Sequence, residues 1–191
     1  NDEFIHLCEV GCVLANQLNK PLILDPVGAG ASQYRTSACL NWIERYQFSI
    51  IRGNASEILA LCGQNHNTKG VDATDTTLNA IESAQLYSSN HNLVLAISGE
   101  LDAVIHGSNV SVLKGGSALM PLVSGTGCLL TAVISAFQVI NKTEMVSAAA
   151  AITFYNQCAE RASLKARGPG SFKMHFLDEL ARYSMRNNDA T

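Results

Sequence analysis

Two rhythms of apolar spacing alternate along the chain. From Glu3 to Leu18, Phe4, Ile5, Leu7, Cys8, Cys12, Val13, Ala15 and Leu18 recur at helical spacing and predict an amphipathic helix. Asn19-Lys20 ends it, and Pro21 forbids its simple continuation. Pro21 to Asp25 is a short apolar run stopped by a carboxylate and Pro26, the pattern of a buried parallel strand. The alternation then repeats: a helix over Arg35–Tyr46, a strand over Phe48–Arg52, and a helix from Ile58 to Leu61. A polar loop over Gly63–Asp75, a helix over Thr76–Tyr87 and a strand over Leu93–Ile97 follow. Asp102–His106 and Val110–Leu113 flank Gly107-Ser108-Asn109 as a hairpin. A charge-free helix begins near Gly127, and an alanine-rich one spans Thr143–Lys165. Gly168-Pro169-Gly170 breaks it, Phe172–Tyr183 forms a last helix, and the tail from Asn187 is expected to fray. Strands alternating with helices predict an α/β layer fold with a mostly parallel central sheet. No repeat or domain boundary is visible, so residues 1–191 read as one domain.

Composition narrows the class. With 47% hydrophobic and 15% charged residues over 191 positions, the chain can bury a full core. A net charge of -3 without a basic block gives no footing for nucleic acid or a membrane surface. No signal-peptide pattern or bilayer-length apolar run is seen, so the expected location is cytoplasmic. Six scattered cysteines (Cys8, Cys12, Cys39, Cys62, Cys128, Cys158) read as reduced thiols. Cys8 and Cys12 are one helical turn apart, the spacing of a metal half-site, with no second pair to match it. His6, His66, His91, His106 and His175 are dispersed, with no acid or nucleophile pattern beside them. Asn1 is not methionine, and the opening helix reads as already docked on something, so a missing natural beginning is expected.

The chemistry gathers at strand ends and at one turn. In Ser124-Gly125-Thr126-Gly127-Cys128 two glycines flank a threonine just before a helix. Free amides at a helix start, with the helix dipole behind them, suit a phosphate or a developing oxyanion. The alternative is a helix entered through a flexible turn, with Cys128 as a small core residue. Three predicted strands deliver Asp25, then Arg52-Gly53-Asn54 with Glu57, then Ser98-Gly99-Glu100 to the carboxyl edge of the sheet, where ligands bind in such folds. Asn54 with Glu57 three positions on is also the pattern of a helix capping box. Two carboxylates near a phosphate cradle suggest Mg²⁺ held largely through waters, and an arginine can clasp phosphate oxygens in bidentate fashion. The set fits phosphoryl transfer, although Walker and protein-kinase glycine loops are absent. The Gly28–Gly30 spacing fails as a dinucleotide fingerprint, because Pro26 and Val27 intervene and no third glycine opens a helix. Glu100 reads either as a solvated loop residue or as a neighbour of the nucleotide, and Gly168-Pro169-Gly170 either as a helix end or as a nucleotide cover.

Leu24-Asp25-Pro26-Val27-Gly28-Ala29-Gly30-Ala31-Ser32, Arg52-Gly53-Asn54-Ala55-Ser56-Glu57-Ile58, Ser98-Gly99-Glu100 and Gly125-Thr126-Gly127-Cys128 occur in the order seen in hydroxyethylthiazole kinases, which this chain resembles from about Pro21 to Phe172. The resemblance implies a three-layer ribokinase-like fold and transfer of the γ-phosphate of ATP to the primary alcohol of hydroxyethylthiazole in thiamine salvage. It implies that Gly125, Thr126, Gly127 and Cys128 form the anion hole, with Gly125 also beside the thiazole alcohol. It places Arg52 and Ser98 at ATP, Asn54 and Glu57 at the magnesium site, and Asp25 at the metal–water shell. Most of the superfamily carries an aspartate base where this chain has Cys128. A free thiol is mostly protonated at neutral pH, so the surer contribution of Cys128 is its backbone N–H. The departure is at the front: the family's first βα units, which help to hold the thiazole and to form a homotrimer, have no match here. Three alternatives follow. One is a hydroxymethylpyrimidine kinase, whose family usually lacks the arginine and glycine of Arg52-Gly53. Another is a dehydratase of hydrated nicotinamide nucleotides, which generally ends the turn in Gly-Asp. The third is a truncated nucleotide-binding remnant without turnover.

Overall fold

Three strands run parallel, side by side: β1 (Ile23–Leu24), β2 (Ile50–Asn54) and β3 (Val94–Ser98). The computed structural model describes residues 2–64, 77–140 and 143–185. Beyond β3 the sheet turns antiparallel through a hairpin, β4 (Asp102–His106) and β5 (Asn109–Leu113), so the five strands lie in chain order as a mixed sheet. The predicted loop of the hairpin is one residue longer than the observed one, because Asn109 pairs with His106.

Strand parity sorts the core into two layers. Leu24, Ile51, Leu95, Ile97, Ala103 and Ile105 face helices α2 (Gln33–Arg45), α3 (Ala55–Leu61) and α4 (Thr77–His91). Ile50, Val94, Ala96 and Val104 face α5 (Thr126–Ile140), α6 (Glu144–Ser163) and α7 (Pro169–Met185). A strand buried on both faces reads as a continuous apolar run, which is why these segments show no alternation in sequence. The three layers are the predicted ones.

Boundaries moved where pairing overrode local pattern. β2 reaches Asn54, two residues past its apolar run, because Gly53 and Asn54 continue the ladder opposite Ile97 and Ser98. Pro169 opens α7 in its first turn, where a missing N–H costs no helical bond, rather than closing the helix before it. The loop over Gly63–Asp75 and the tail from Asn187 lie mostly or wholly outside the described residues, as does His66.

The first helix, α1 (Asp2–Gln17), differs most from its sequence pattern. Only Cys12 is buried, while Phe4, Leu7, Leu14 and Leu18 are more than half exposed. Polar contacts tie α1 down: Arg45 donates to Glu9 at 2.6 Å, Tyr34 to Asp2 at 2.9 Å, and Asn16 exchanges hydrogen bonds with the Gln47 backbone.

Candidate active site

The parity that builds the core also assembles the site. One residue beyond Leu24, Asp25 points to the α5 side of the sheet; Arg52 follows Ile50 on that side, and Ser98 follows Ala96. Arg52 is the hub. Its guanidinium donates to Ser98 Oγ and reaches Asp25 Oδ2 at 3.5 Å. Its side chain is only 9% exposed, and its Nε has no hydrogen-bond partner. Asp25 and, further off, Asp102 balance part of its charge, but a buried donor without a partner is costly, and an anion beside the guanidinium would satisfy it.

The turn before α5 lies directly over it. A Cβ built on Gly127 would stand 2.9 Å from Arg52 Nη1, so the close approach of helix start and guanidinium requires glycine there. Gly125 has φ +93°, which turns the chain into the helix. Leu129 N–H is bonded to Gly125 O at 2.9 Å, and the amides of Thr126, Gly127 and Cys128 ahead of it have no partner among the described residues. Free amides, dipole and buried arginine thus lie together at the start of α5, an arrangement suited to an anion. The Cys128 side chain is exposed.

The two carboxylates serve the frame as well. Glu57 Oε2 accepts from the Asn54 backbone N–H at 2.9 Å while Asn54 Oδ1 accepts from Glu57 N–H at 2.8 Å, which is the capping box read from sequence. Glu57 Oε1 accepts from Gly28 N–H at 2.9 Å, so one carboxylate staples the loop after β1 to the end of β2. Asp25 Oδ2 accepts from Thr131 Oγ1 at 2.7 Å. No cluster of three or more His, Cys, Asp or Glu side chains able to cage a metal occurs among the described residues. The two acids fit an ion held through its own waters and a bound phosphate better than one coordinated directly by protein.

The structure thus brings Asp25, Arg52, Ser98, Gly125, Thr126, Gly127 and Cys128 together, with Asn54 and Glu57 behind the loop that carries Asp25. Glu100 is exposed. His91 closes α4 at the amino end of β3, the opposite edge of the sheet, and stacks on Tyr87 with ring centroids 4.2 Å apart.

Three contributors escaped the sequence reading. Thr131 is four residues past Gly127, hence on the same helix face, a spacing that could have found it. Tyr155 is fully buried in α6, donates to Thr126 O at 2.6 Å, and sits edge-on against Phe176. Asp102, also on the α5 side, accepts from Gly99 N–H at 3.1 Å and from Asn156 Nδ2 at 2.7 Å. Burial pushes its carboxyl above the usual 3.8, against the lowering effects of Asn156, the Gly99 amide and Arg52.

A three-layer α/β sandwich with a glycine turn and free helix-start amides over the carboxyl edge of its parallel strands is the ribokinase-like class. Solved structures agree. A hydroxyethylthiazole kinase from Pyrococcus horikoshii superposes with a TM-score of 0.77 at 32% identity, covering 88% of this chain and 62% of that one. An ADP complex of Bacillus subtilis pyridoxal kinase, 18% identical with a TM-score of 0.56, covers 79% of this chain and 58% of its own and supports the fold alone. The model of the hydroxyethylthiazole kinase family matches residues 2–186, and the chain belongs to that family. Proteins named hydroxyethylthiazole kinase from Brachyspira hyodysenteriae and Desulfotalea psychrophila are 41% and 42% identical to it, over 94% and 89% of this chain. The chain spans 67% and 62% of the length of those two relatives.

Proposed function

We propose that this site binds ATP with Mg²⁺ and transfers the γ-phosphate to the primary alcohol of hydroxyethylthiazole. The observation that carries the reading is Arg52, buried, with an unpartnered Nε, beneath three free amides of α5. Membership of the family supports hydroxyethylthiazole as the acceptor.

The chain's own residues account for positioning and for charge. The amides of Thr126, Gly127 and Cys128 receive the transferring phosphoryl oxygens, whose charge spreads in the loose transition state. Arg52 neutralises phosphate from below, and Ser98 holds its guanidinium in place. Asp25, kept in place by Thr131, and Glu57, kept in place by two backbone amides, are the carboxylates that would hold the ion. When bound, Mg²⁺ supplies charge neutralisation between the phosphates. Cys128 contributes its N–H, and its exposed thiol is not required by this arrangement.

The test is ADP release by the purified chain given Mg·ATP and, separately, hydroxyethylthiazole or hydroxymethylpyrimidine. Turnover with the thiazole alone is expected. Turnover with the pyrimidine alone would move the substrate assignment, and nucleotide binding without turnover on either alcohol would refute kinase activity for this chain.

A further inference from the structure

We propose that Tyr155 is a positioning residue for phosphoryl transfer: its hydroxyl fixes and polarises the peptide group that presents the Gly127 N–H to phosphate. The proposal rests on the phosphate-site reading above. Tyr155 Oη donates to Thr126 O at 2.6 Å. Thr126 C=O and Gly127 N–H belong to the same planar peptide unit, with the carbonyl pointing into α5 and the N–H pointing out of its start. A donor on the carbonyl oxygen draws electron density from the nitrogen, so the N–H becomes a stronger donor, as in any hydrogen-bonded chain.

The surroundings suit that role. Tyr155 has no exposed surface, and its ring is set edge-on to Phe176 with centroids 4.8 Å apart, so the hydroxyl is delivered by a rigid wall rather than a mobile side chain. Burial pushes the phenol's pKa up, which keeps the proton on the donor. The Thr126 side chain is pinned independently, donating to Met120 O at 3.1 Å and Val123 O at 3.2 Å. The peptide between Thr126 and Gly127 is therefore held from two directions, one from α6 and one from the turn at Met120–Leu122. A residue needed only to fill the core would be served as well by phenylalanine.

The experiment compares AMP-PNP with ADP, each with Mg²⁺, by calorimetric titration of the wild type, Tyr155→Phe and Phe176→Leu. The Gly127 amide is followed by ¹H–¹⁵N NMR. The expected result is that Tyr155→Phe weakens AMP-PNP about three- to tenfold, as for the weakening of one hydrogen bond to a charged group. ADP affinity stays unchanged, and the free-state Gly127 amide signal moves. Phe176→Leu, which disturbs the same packing but keeps the hydroxyl, should lower the melting temperature and leave the AMP-PNP to ADP ratio alone. Equal ratios in wild type and Tyr155→Phe, with AMP-PNP bound, would overturn the proposal while sparing the phosphate site. If the wild type binds AMP-PNP no better than ADP and its Gly127 signal ignores both, the phosphate-site reading falls and takes the proposal with it. Should Tyr155→Phe not fold, protein made with 3-fluorotyrosine keeps the hydroxyl in place as a stronger donor. A higher ratio is then expected, and an unchanged one overturns the proposal.

Discussion

Adding a single methyl group at Gly127 tests whether the helix start and Arg52 are built as one object. The alanine Cβ would lie 2.9 Å from Arg52 Nη1 and 3.4 Å from Nη2, so helix or guanidinium must move by several tenths of an ångström. The guanidinium has little room to yield, because Ser98 and Asp25 hold it and its side chain is 9% exposed. Overpacking of this kind costs about 1–3 kcal/mol, and the better helix propensity of alanine returns at most about 1 kcal/mol of that. Gly125→Ala is the control. Its Cβ meets nothing within 4 Å, so only the φ of +93° is at stake, a backbone cost of about 1–2 kcal/mol. Arg52→Ala removes the atoms with which the added methyl collides. Denaturant unfolding of the wild type, both single variants at 52 and 127, and the double variant closes the cycle. In the Arg52→Ala background Gly127→Ala should be neutral or slightly stabilising, a coupling of about 1–2 kcal/mol, whereas Gly125→Ala should cost the same in either background. Additive effects of the 52 and 127 substitutions would refute the claim that arginine and turn are in enforced contact.

Three further outcomes follow from the frame. Glu57→Gln leaves one carbonyl oxygen for two backbone donors and turns an amide NH₂ toward the other, so unfolding stability should drop by about 2–3 kcal/mol; a loss below about 0.5 kcal/mol would mean that the staple between Gly28 and Asn54 is not formed. Thr131→Val should raise the Mg²⁺ concentration needed for half-maximal nucleotide binding, with Thr131→Ser restoring it, and equal values in all three proteins would remove Thr131 from the orientation of Asp25. Asp102 binds its proton more tightly folded than unfolded, so its contribution to stability is full below the ordinary 3.8 and is lost as pH rises through the higher folded value. Asp102→Asn removes that loss, and the stability of the variant relative to wild type should climb with pH across that window and then level off; a pH-independent difference refutes it.

Much of the fold was legible because it rests on short-range pattern. The strand segments around Ile23, Ile50 and Val94 are apolar runs bounded by turn residues, and each lies between segments of helical period. What sequence could not supply was parity. A run such as Phe48–Arg52 does not say which residue faces which layer until the neighbouring strand fixes the register, here Arg52 opposite Ala96. The first helix shows the converse failure. Its apolar spacing was plain, yet spacing alone cannot name the surface that covers it, and Phe4, Leu7, Leu14 and Leu18 remain exposed.

The site divides along the same line. Asp25, Arg52, Asn54, Glu57 and the turn at 125–128 sit in compact motifs, where glycine and cap chemistry are local and can be read off neighbours. Thr131 reaches Asp25 across 106 residues of sequence and Tyr155 reaches Thr126 across 29, and both do so from helix interiors whose local pattern is satisfied without them. Their signal is an inconsistency rather than a motif: a hydroxyl on a helix face that packs inward, and a phenol with no exposed surface, must each find a partner or lose a hydrogen bond outright. The groups proposed to touch a phosphate are therefore announced by what surrounds them in sequence. The groups that hold those in place are announced only by the cost they would incur if they did not.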